Sequence, residues 1–166
     1  ASLSIHPIHA EAPSTVPEAK GIIQSLNQAL RQEHPTGVLF VDNLDSFSLN
    51  IADAFAQLGH NVTMLEGRAP SMEPYVDPVA LNDLLGRLQP SHIVLGPGPG
   101  RPDDGALTLA LAHHALAGQL DVPVLGVCLG HQALAQADGW NILAAPEGPV
   151  HGVPVLVEHE GSGLFG

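Results

Sequence analysis

The stretch that decides the fold is Val124-Leu125-Gly126-Val127-Cys128-Leu129-Gly130-His131-Gln132. The apolar residues before Cys128 predict a buried strand, and the run from Gln132 to Ala137 predicts a helix. Cys128 lies between them, with a glycine two residues before it and another two residues after it. Strand, Gly-x-Cys-x-Gly and helix is the layout of a nucleophile elbow, a sharp turn that exposes one side chain at the carboxyl end of a strand.

Three more predicted strands precede this one, and helical patterns separate them. Short apolar runs predict the strands at Val38–Val41, Asn61–Glu66 and His92–Leu95. Apolar residues at helical spacing predict helices between Phe47 and Leu58, from Asp77-Pro78 to Leu88, and over about residues 105–117. This alternation predicts an α/β fold with a doubly wound, mostly parallel sheet and helices on both faces, as in flavodoxin-like folds.

Three unusual loops follow predicted strands, after Val41, after Leu95 and at Cys128. The carboxyl ends of parallel strands lie at one edge of a sheet, and ligands of open α/β sheets bind at that edge. The three loops together therefore predict the functional site there.

The loop after the third strand, Gly96-Pro97-Gly98-Pro99-Gly100-Arg101, is poorly suited to hold a phosphate. Pro97 and Pro99 lack an N–H, Arg101 stands where a dinucleotide fingerprint needs glycine, and no Gly-Lys-Ser or Gly-Lys-Thr occurs. A rigid loop that presents a few amides, such as that of Gly98, suits an oxyanion hole better. A Gly/Pro turn without function would be the default interpretation if this loop stood alone.

Cys128 is the only cysteine of the 166 residues, and two interpretations of it compete. A lone cysteine is most often a small buried apolar residue. At a helix N-terminus, however, the helix dipole stabilises a thiolate, and the amide of Leu129 points to where an oxyanion would form. We therefore favour a nucleophile, which needs a base. The downstream histidines are His131, which is expected to face away from the thiol on the elbow helix, and His151 and His159, neither of which is marked by its context.

Composition argues against several classes of function. Five Lys and Arg against 17 Asp and Glu give a net charge of −12, so no nucleic-acid partner is expected. No apolar run approaches the roughly 18 residues of a membrane span, and no signal peptide is visible. A single cysteine permits no internal disulfide, which favours a cytoplasmic location. Adjacent His113 and His114 would point about 100° apart on a helix, so no metal site is expected.

The two ends of the chain add further expectations. Residues 1–36 predict an arm or linker, in which Thr15-Val16-Pro17-Glu18 caps one amphipathic helix over about residues 16–33. The globular domain spans residues 37–166. After the elbow helix, Gly139–Leu143 and Val153–Glu158 predict two more strands.

Four segments occur in order along the chain: Asp42-Asn43-Leu44-Asp45-Ser46-Phe47-Ser48-Leu49-Asn50, Gly96-Pro97-Gly98-Pro99-Gly100, Gly126–Gln132 and Ala145–Gly152. Together they closely resemble the class I (triad) glutamine amidotransferases, and the resemblance covers residues 37–166. The first segment narrows the resemblance to members that use chorismate. These are the glutaminase components of anthranilate synthase and of aminodeoxychorismate synthase.

This resemblance implies an enzyme that hydrolyses glutamine and passes ammonia to a chorismate-using synthase, as a subunit or fused domain, in tryptophan or folate biosynthesis. Cys128 would attack the side-chain amide of glutamine and form a glutamyl thioester. The amides of Gly98 and Leu129 would form the oxyanion hole, and Gln132 would help to hold the substrate. The family implies no cofactor in this domain. Gly59-His60-Asn61-Val62 favours the anthranilate branch.

Parts of the family pattern do not occur in the 166 residues. The His-Pro-Glu-Ser segment, with the family's catalytic histidine and glutamate, and the Tyr-His-Ser-Leu segment, which contacts glutamine, are both missing, and Gly96 and Val153 stand where serine and lysine are usual. We therefore expect a domain truncated at its C-terminus, a piece of a longer protein such as a fusion with its synthase, with little or no activity alone. The alternatives are a catalytically idle docking module for such a synthase, and a different cysteine hydrolase on the same fold.

Overall fold

A computed structural model describes residues 37–146, 148, 154, 156 and 158–163. The predicted arm and helix of residues 1–36 lie outside the described residues, and so does His151. The predicted strand Val153–Glu158 lies partly outside them.

The described residues form a four-stranded parallel sheet. Its strands are β1 (Val38–Asp42), β2 (Val62–Glu66), β3 (His92–Leu95) and β4 (Val124–Gly126). Their order across the sheet is β2-β1-β3-β4, which is the order of the first four strands in flavodoxin-like folds. Val38 pairs with both Val62 and His92, and Leu95 pairs with Gly126. The predicted parallel sheet is confirmed.

Within the described residues, four α-helices connect or follow these strands, and each lies where a helix is predicted. They are α1 (Ser48–Gln57), α2 (Pro78–Leu88), α3 (Ala106–Leu116) and α4 (Leu129–Ala137), with short 3-10 turns at Pro70–Val76 and Pro102–Asp104. The α2 helix begins at Pro78 because the Asp77 carboxylate accepts hydrogen bonds from two amides of its first turn. None of the helices in the described ranges is long and apolar enough to cross a membrane.

Helices cover both faces of the sheet, as the doubly wound prediction requires. The α1 helix packs on the face that presents Phe40 and Val94, while α2, α3 and α4 pack on the face that presents Leu39 and Ile93. Both faces of β1 are therefore buried, and Leu39 and Phe40 have no exposed surface. This double burial explains why β1 is apolar throughout instead of alternating with polar residues.

Two expectations from the apolar pattern are wrong in detail. Phe47 and Leu58, which share the apolar spacing of α1, are 65% and 75% exposed and flank the helix instead of covering the sheet. Residues 139–143 form no strand. The Ile142 carbonyl accepts a hydrogen bond from the Arg101 guanidinium (3.1 Å), so this backbone is tied to the loop after β3 instead of to a strand.

Candidate active site

The turn after β4 has the geometry of a nucleophile elbow. Cys128 has φ 52° and ψ −108°, a combination that residues with a side chain rarely adopt. Its thiol is exposed. The Gly130 amide donates to the Val127 carbonyl and the Gln132 amide to the Cys128 carbonyl, both at 3.0 Å, so α4 begins directly after the cysteine. The turn therefore presents the thiol to solvent at a helix N-terminus.

The two glycines that flank Cys128 are needed because the backbone passes too close for any side chain. A Cβ on Gly126 would lie 2.6 Å from the backbone nitrogen of His131. A Cβ on Gly130 would lie 2.0 Å from the carbonyl oxygen of Leu95, at the end of β3. The Gly-x-Cys-x-Gly spacing is thus a steric requirement of the strand-to-helix turn.

The loop after β3 begins beside the elbow. The Val127 amide donates to the Leu95 carbonyl at 2.9 Å, which extends the pairing of β3 with β4 to the residue before Cys128. Gly96 follows Leu95 directly, and its amide donates to the Val41 carbonyl at 2.8 Å. The predicted convergence of the loops after β1, β3 and β4 at one edge is therefore confirmed.

Asn43, the residue after β1, joins this loop to helix α3. Its side-chain amide donates to the Gly96 carbonyl at 3.0 Å, and its side-chain oxygen accepts from the Thr108 hydroxyl at 2.8 Å. Asn43 and Thr108 have no exposed surface. Gly98 packs directly on Asn43, since a Cβ on Gly98 would lie 2.5 Å from the Asn43 Cβ.

The far end of the loop after β3 is held by two arginines. The Arg68 guanidinium donates a hydrogen bond to the Pro99 carbonyl. The Arg101 amide donates to the Asp104 carboxylate at 2.7 Å. Gly100, between Pro99 and Arg101, has φ 78°, a conformation that favours glycine. Together with Asn43 these contacts hold the loop at both ends.

The turn after β1 is closed by one carboxylate. Oδ1 of Asp42 accepts from the Leu44 amide at 3.0 Å and from the Ser48 hydroxyl at the start of α1. Leu44 has φ 67°, which is unusual for a leucine. The turn therefore presents Leu44 and Phe47 at the surface, where they are 54% and 65% exposed.

The residues predicted for the site lie at one edge of the sheet. Leu129 is buried as the first residue of α4, and Gln132 is half-buried one turn further along the same helix. Gly98 is half-buried in the loop after β3. The predicted roles of Cys128, Gly98, Leu129 and Gln132 in chemistry and binding remain predictions.

Of the histidines proposed as a base, two belong to the described residues. His131 is exposed on α4. His159 is exposed too, and its ring nitrogen Nδ1 accepts from the Gly161 amide at 3.1 Å. The identity of the base stays a prediction.

Within the described part of the chain, no group of three or more His, Cys, Asp or Glu side chains is arranged to hold a metal ion. This edge of the sheet instead carries the exposed Cys128 at a helix N-terminus, and the glycine-rich loop after β3 lies beside it. This arrangement is suited to acyl transfer through a cysteine thiolate.

No separate role of Asn43 or Thr108 was predicted from the sequence. The sequence position of Asn43 could have indicated a role at the site, because Asn43 is a polar residue at the carboxyl end of an apolar strand. The position of Thr108 gave no such indication, since a single threonine in the apolar run Ala106–Leu116 resembles any exposed helix position.

Comparison with known proteins identifies the family to which these features correspond. The family model described as "Glutamine amidotransferase class-I" matches residues 39–166. Among curated relatives, "Aminodeoxychorismate synthase component 2" of Serratia marcescens is 38% identical over 128 residues, which cover 77% of this chain and 60% of that protein.

Relatives of two kinds match about equally well. "Anthranilate synthase component 2" of Haemophilus influenzae is 40% identical over 128 residues, or 77% of this chain and 61% of that protein. "Aminodeoxychorismate synthase" of Streptomyces griseus is 42% identical over 127 residues, which cover 76% of this chain but 16% of that longer protein. The match thus spans about 60% of the length of the component 2 relatives.

Proposed function

Because this chain belongs to the class-I glutamine amidotransferases, we propose that it carries the nucleophile, the oxyanion hole and part of the substrate site of a glutaminase. The ammonia produced would go to a chorismate-using synthase. The relatives named as component 2 of aminodeoxychorismate synthase or anthranilate synthase support this partner.

The observation that carries this proposal is the conformation of Cys128. An exposed thiol at φ 52° and ψ −108°, held between two glycines that no side chain could replace, is a costly arrangement for a residue with only a packing role. A buried apolar cysteine, the competing interpretation, would not require this backbone or this exposure.

In the proposed reaction, the Cys128 thiolate attacks the side-chain carbonyl carbon of glutamine. The amides of Gly98 and Leu129 would stabilise the negative charge that develops on the carbonyl oxygen. The tetrahedral intermediate collapses, the C–N bond breaks, and protonation of the leaving nitrogen gives ammonia and a glutamyl thioester. Water then attacks the thioester, which releases glutamate and restores the thiol. Gln132 would contact the substrate during these steps.

The test is a glutaminase assay on the full-length polypeptide together with its synthase. We expect Cys128→Ala to lower kcat for glutamine at least about 10⁴-fold, because the covalent route is lost. Product formation with ammonium salts in place of glutamine should remain, because that reaction bypasses the thiol. Asn82→Ala, at an exposed position of α2, is the matched control and should keep both activities.

Labelling by 6-diazo-5-oxo-L-norleucine, a reactive glutamine analogue, tests the substrate class independently. We expect a covalent adduct on Cys128 that excess glutamine prevents. A thiol that reacts with iodoacetamide but not with this analogue would favour a different cysteine hydrolase. Full glutamine-dependent activity in Cys128→Ala would contradict the proposed nucleophile.

The alternative function is an idle docking module for the synthase. Its basis is that no His-Pro-Glu-Ser segment occurs among these 166 residues. The two functions differ in one measurement: an idle module binds the synthase but adds no glutamine-dependent activity, even in the full-length polypeptide.

We propose the anthranilate branch for the product, supported by Gly59-His60-Asn61-Val62 after the Asp42–Asn50 segment. The identities of 38% and 40% to relatives of the two kinds do not separate the branches. Assays with purified anthranilate synthase and aminodeoxychorismate synthase large components would decide. A cytoplasmic location remains a prediction from the single cysteine.

A further inference from the structure

The loop after β3 has few means of holding its own shape. Pro97 and Pro99 have no amide to donate, and Gly96, Gly98 and Gly100 have no side chain to pack. A catalytic amide must nevertheless be held to within a fraction of an ångström and a few tens of degrees to stabilise a transition state. The hydrogen bonds that fix this loop must therefore come from outside it.

Asn43 supplies the contact nearest to Gly98. Its side-chain amide donates to the Gly96 carbonyl at 3.0 Å, two residues before Gly98. Its backbone and Cβ also form the surface on which Gly98 rests, because a Cβ on Gly98 would lie 2.5 Å from both the Cβ and the carbonyl oxygen of Asn43. Asn43 therefore restricts the position of the loop after β3 through one hydrogen bond to Gly96 and through direct packing against Gly98.

Thr108 holds Asn43 in this orientation. An asparagine amide can be turned by half a rotation with little steric change, which would bring its oxygen to the Gly96 carbonyl and abolish the hydrogen bond. The Thr108 hydroxyl donates to Asn43 Oδ1 at 2.8 Å and thereby selects the orientation in which Nδ2 faces Gly96. Both side chains are fully buried, so no water competes for these bonds.

Two further glycines make room for this pair. A Cβ on Gly67, after β2, would lie 2.9 Å from Asn43 Oδ1, and a Cβ on Gly105, before α3, would lie 2.8 Å from the same atom. The loops after β1 and β2 and the N-terminus of α3 therefore meet around one amide group. A packing role alone would be served by an apolar side chain, which needs no hydrogen-bonded partner in a buried position.

We propose that Asn43, oriented by Thr108, is a positioning residue that sets the place of the Gly98 amide in the oxyanion hole. This inference rests on the proposed glutaminase function. It is distinct from a catalytic role, because Asn43 is buried and acts through the backbone of Gly96 and Gly98.

The test uses two pairs of variants in the full-length polypeptide with its synthase. Thr108→Val keeps the shape of the side chain but loses the donor, while Thr108→Ser keeps the donor. Asn43→Ala removes both hydrogen bonds, with Asn82→Ala as the exposed control. We expect kcat for glutamine to fall about 10- to 100-fold in Asn43→Ala and about 5- to 10-fold in Thr108→Val, with little change in KM. Thr108→Ser should stay within about twofold of the unaltered protein.

A comparison of two alkylating reagents separates positioning from general damage. The reaction of iodoacetamide with Cys128 depends on the thiol and not on an oxyanion hole. In contrast, 6-diazo-5-oxo-L-norleucine places its carbonyl where the substrate carbonyl would lie. We expect Asn43→Ala and Thr108→Val to react normally with iodoacetamide and at least about fivefold more slowly with the analogue. Equal slowing with both reagents, or equal loss in Thr108→Ser and Thr108→Val, would overturn the proposal.

A backbone measurement keeps the inference testable if the glutaminase proposal fails. The order parameter of the Gly98 amide, from ¹⁵N relaxation, should fall from about 0.85 towards about 0.6 in Thr108→Val. If the unaltered protein neither hydrolyses glutamine nor reacts with the analogue, the proposed function fails, and the order parameter alone decides whether Asn43 fixes the loop. An unchanged order parameter overturns the inference. Should Asn43→Ala not fold, the two Thr108 variants decide.

Discussion

The turns after β1 and after β4 lie at the same edge of the sheet but use their functional groups in opposite ways. After β1, Asn43 is buried, and both its amide nitrogen and its amide oxygen are hydrogen-bonded. After β4, Cys128 is exposed in a strained backbone conformation. Buried and satisfied polar groups hold a shape, whereas an exposed group on a strained turn is available for reaction.

The loop after β3 connects these two turns physically. Leu95, at the end of β3, contacts the elbow through Val127 and Gly130. Gly96, the next residue, accepts the hydrogen bond from Asn43 in the turn after β1. A substitution in either turn is therefore expected to affect the loop after β3. Substitutions at Asn43 should mainly lower stability, whereas substitutions at Cys128 should mainly remove the proposed chemistry.

The largest expected effect concerns the contact between the elbow and β3. Gly130→Ala would place a Cβ 2.0 Å from the Leu95 carbonyl oxygen. We expect the free energy of unfolding to fall by about 3 kcal/mol or more, because two backbone segments must separate. Urea unfolding of the full-length polypeptide measures this change.

Gly86→Ala is the matched control for that variant. Gly86 lies inside α2, and a Cβ there would meet nothing within 4 Å. We expect this change to raise the free energy of unfolding by about 0.5–1 kcal/mol, because alanine is the better helix former. Similar losses at both glycines would contradict the steric explanation of the elbow.

The next prediction compares how substitutions in the two turns change the free energy of unfolding. Asn43→Ala should lower the free energy of unfolding by about 2 kcal/mol, because the buried Thr108 hydroxyl and Gly96 carbonyl lose their partner. Cys128→Ala should change it by less than about 0.5 kcal/mol, because the thiol is exposed. Denaturant unfolding of both variants, with exposed Asn82→Ala as a reference, measures the contrast, and equal losses would abolish the distinction between the turns.

The smallest of the three expected differences between paired variants is a gain in stability at the elbow. Cys128→Gly should be more stable than Cys128→Ala by about 1 kcal/mol, because glycine relieves the strain at φ 52° but costs backbone entropy on folding. Both variants should lack the proposed activity. Thermal unfolding of the pair measures the difference, and a less stable glycine variant would show that the turn carries no net strain.

Much of the fold follows from local sequence alone. The strand at His92–Leu95, the Asp77 cap of α2 and the Gly-x-Cys-x-Gly turn depend on neighbouring residues, through apolar spacing, capping and steric limits on φ. The common edge of the three loops also follows, because parallel strands place their carboxyl ends on one side. The strand, Gly-x-Cys-x-Gly and helix pattern likewise allowed Cys128 to be selected as the candidate nucleophile from the sequence.

Only the tertiary structure decided which residues support that site. The hydrogen bond between Asn43 and Thr108 joins positions 65 residues apart, and no local pattern in the apolar helix α3 marks its threonine. The exposure of Phe47 and the absence of a strand at residues 139–143 likewise depend on what packs beside them. Local rules determine the shape of a turn, but contacts between distant segments determine which side chains hold it in place.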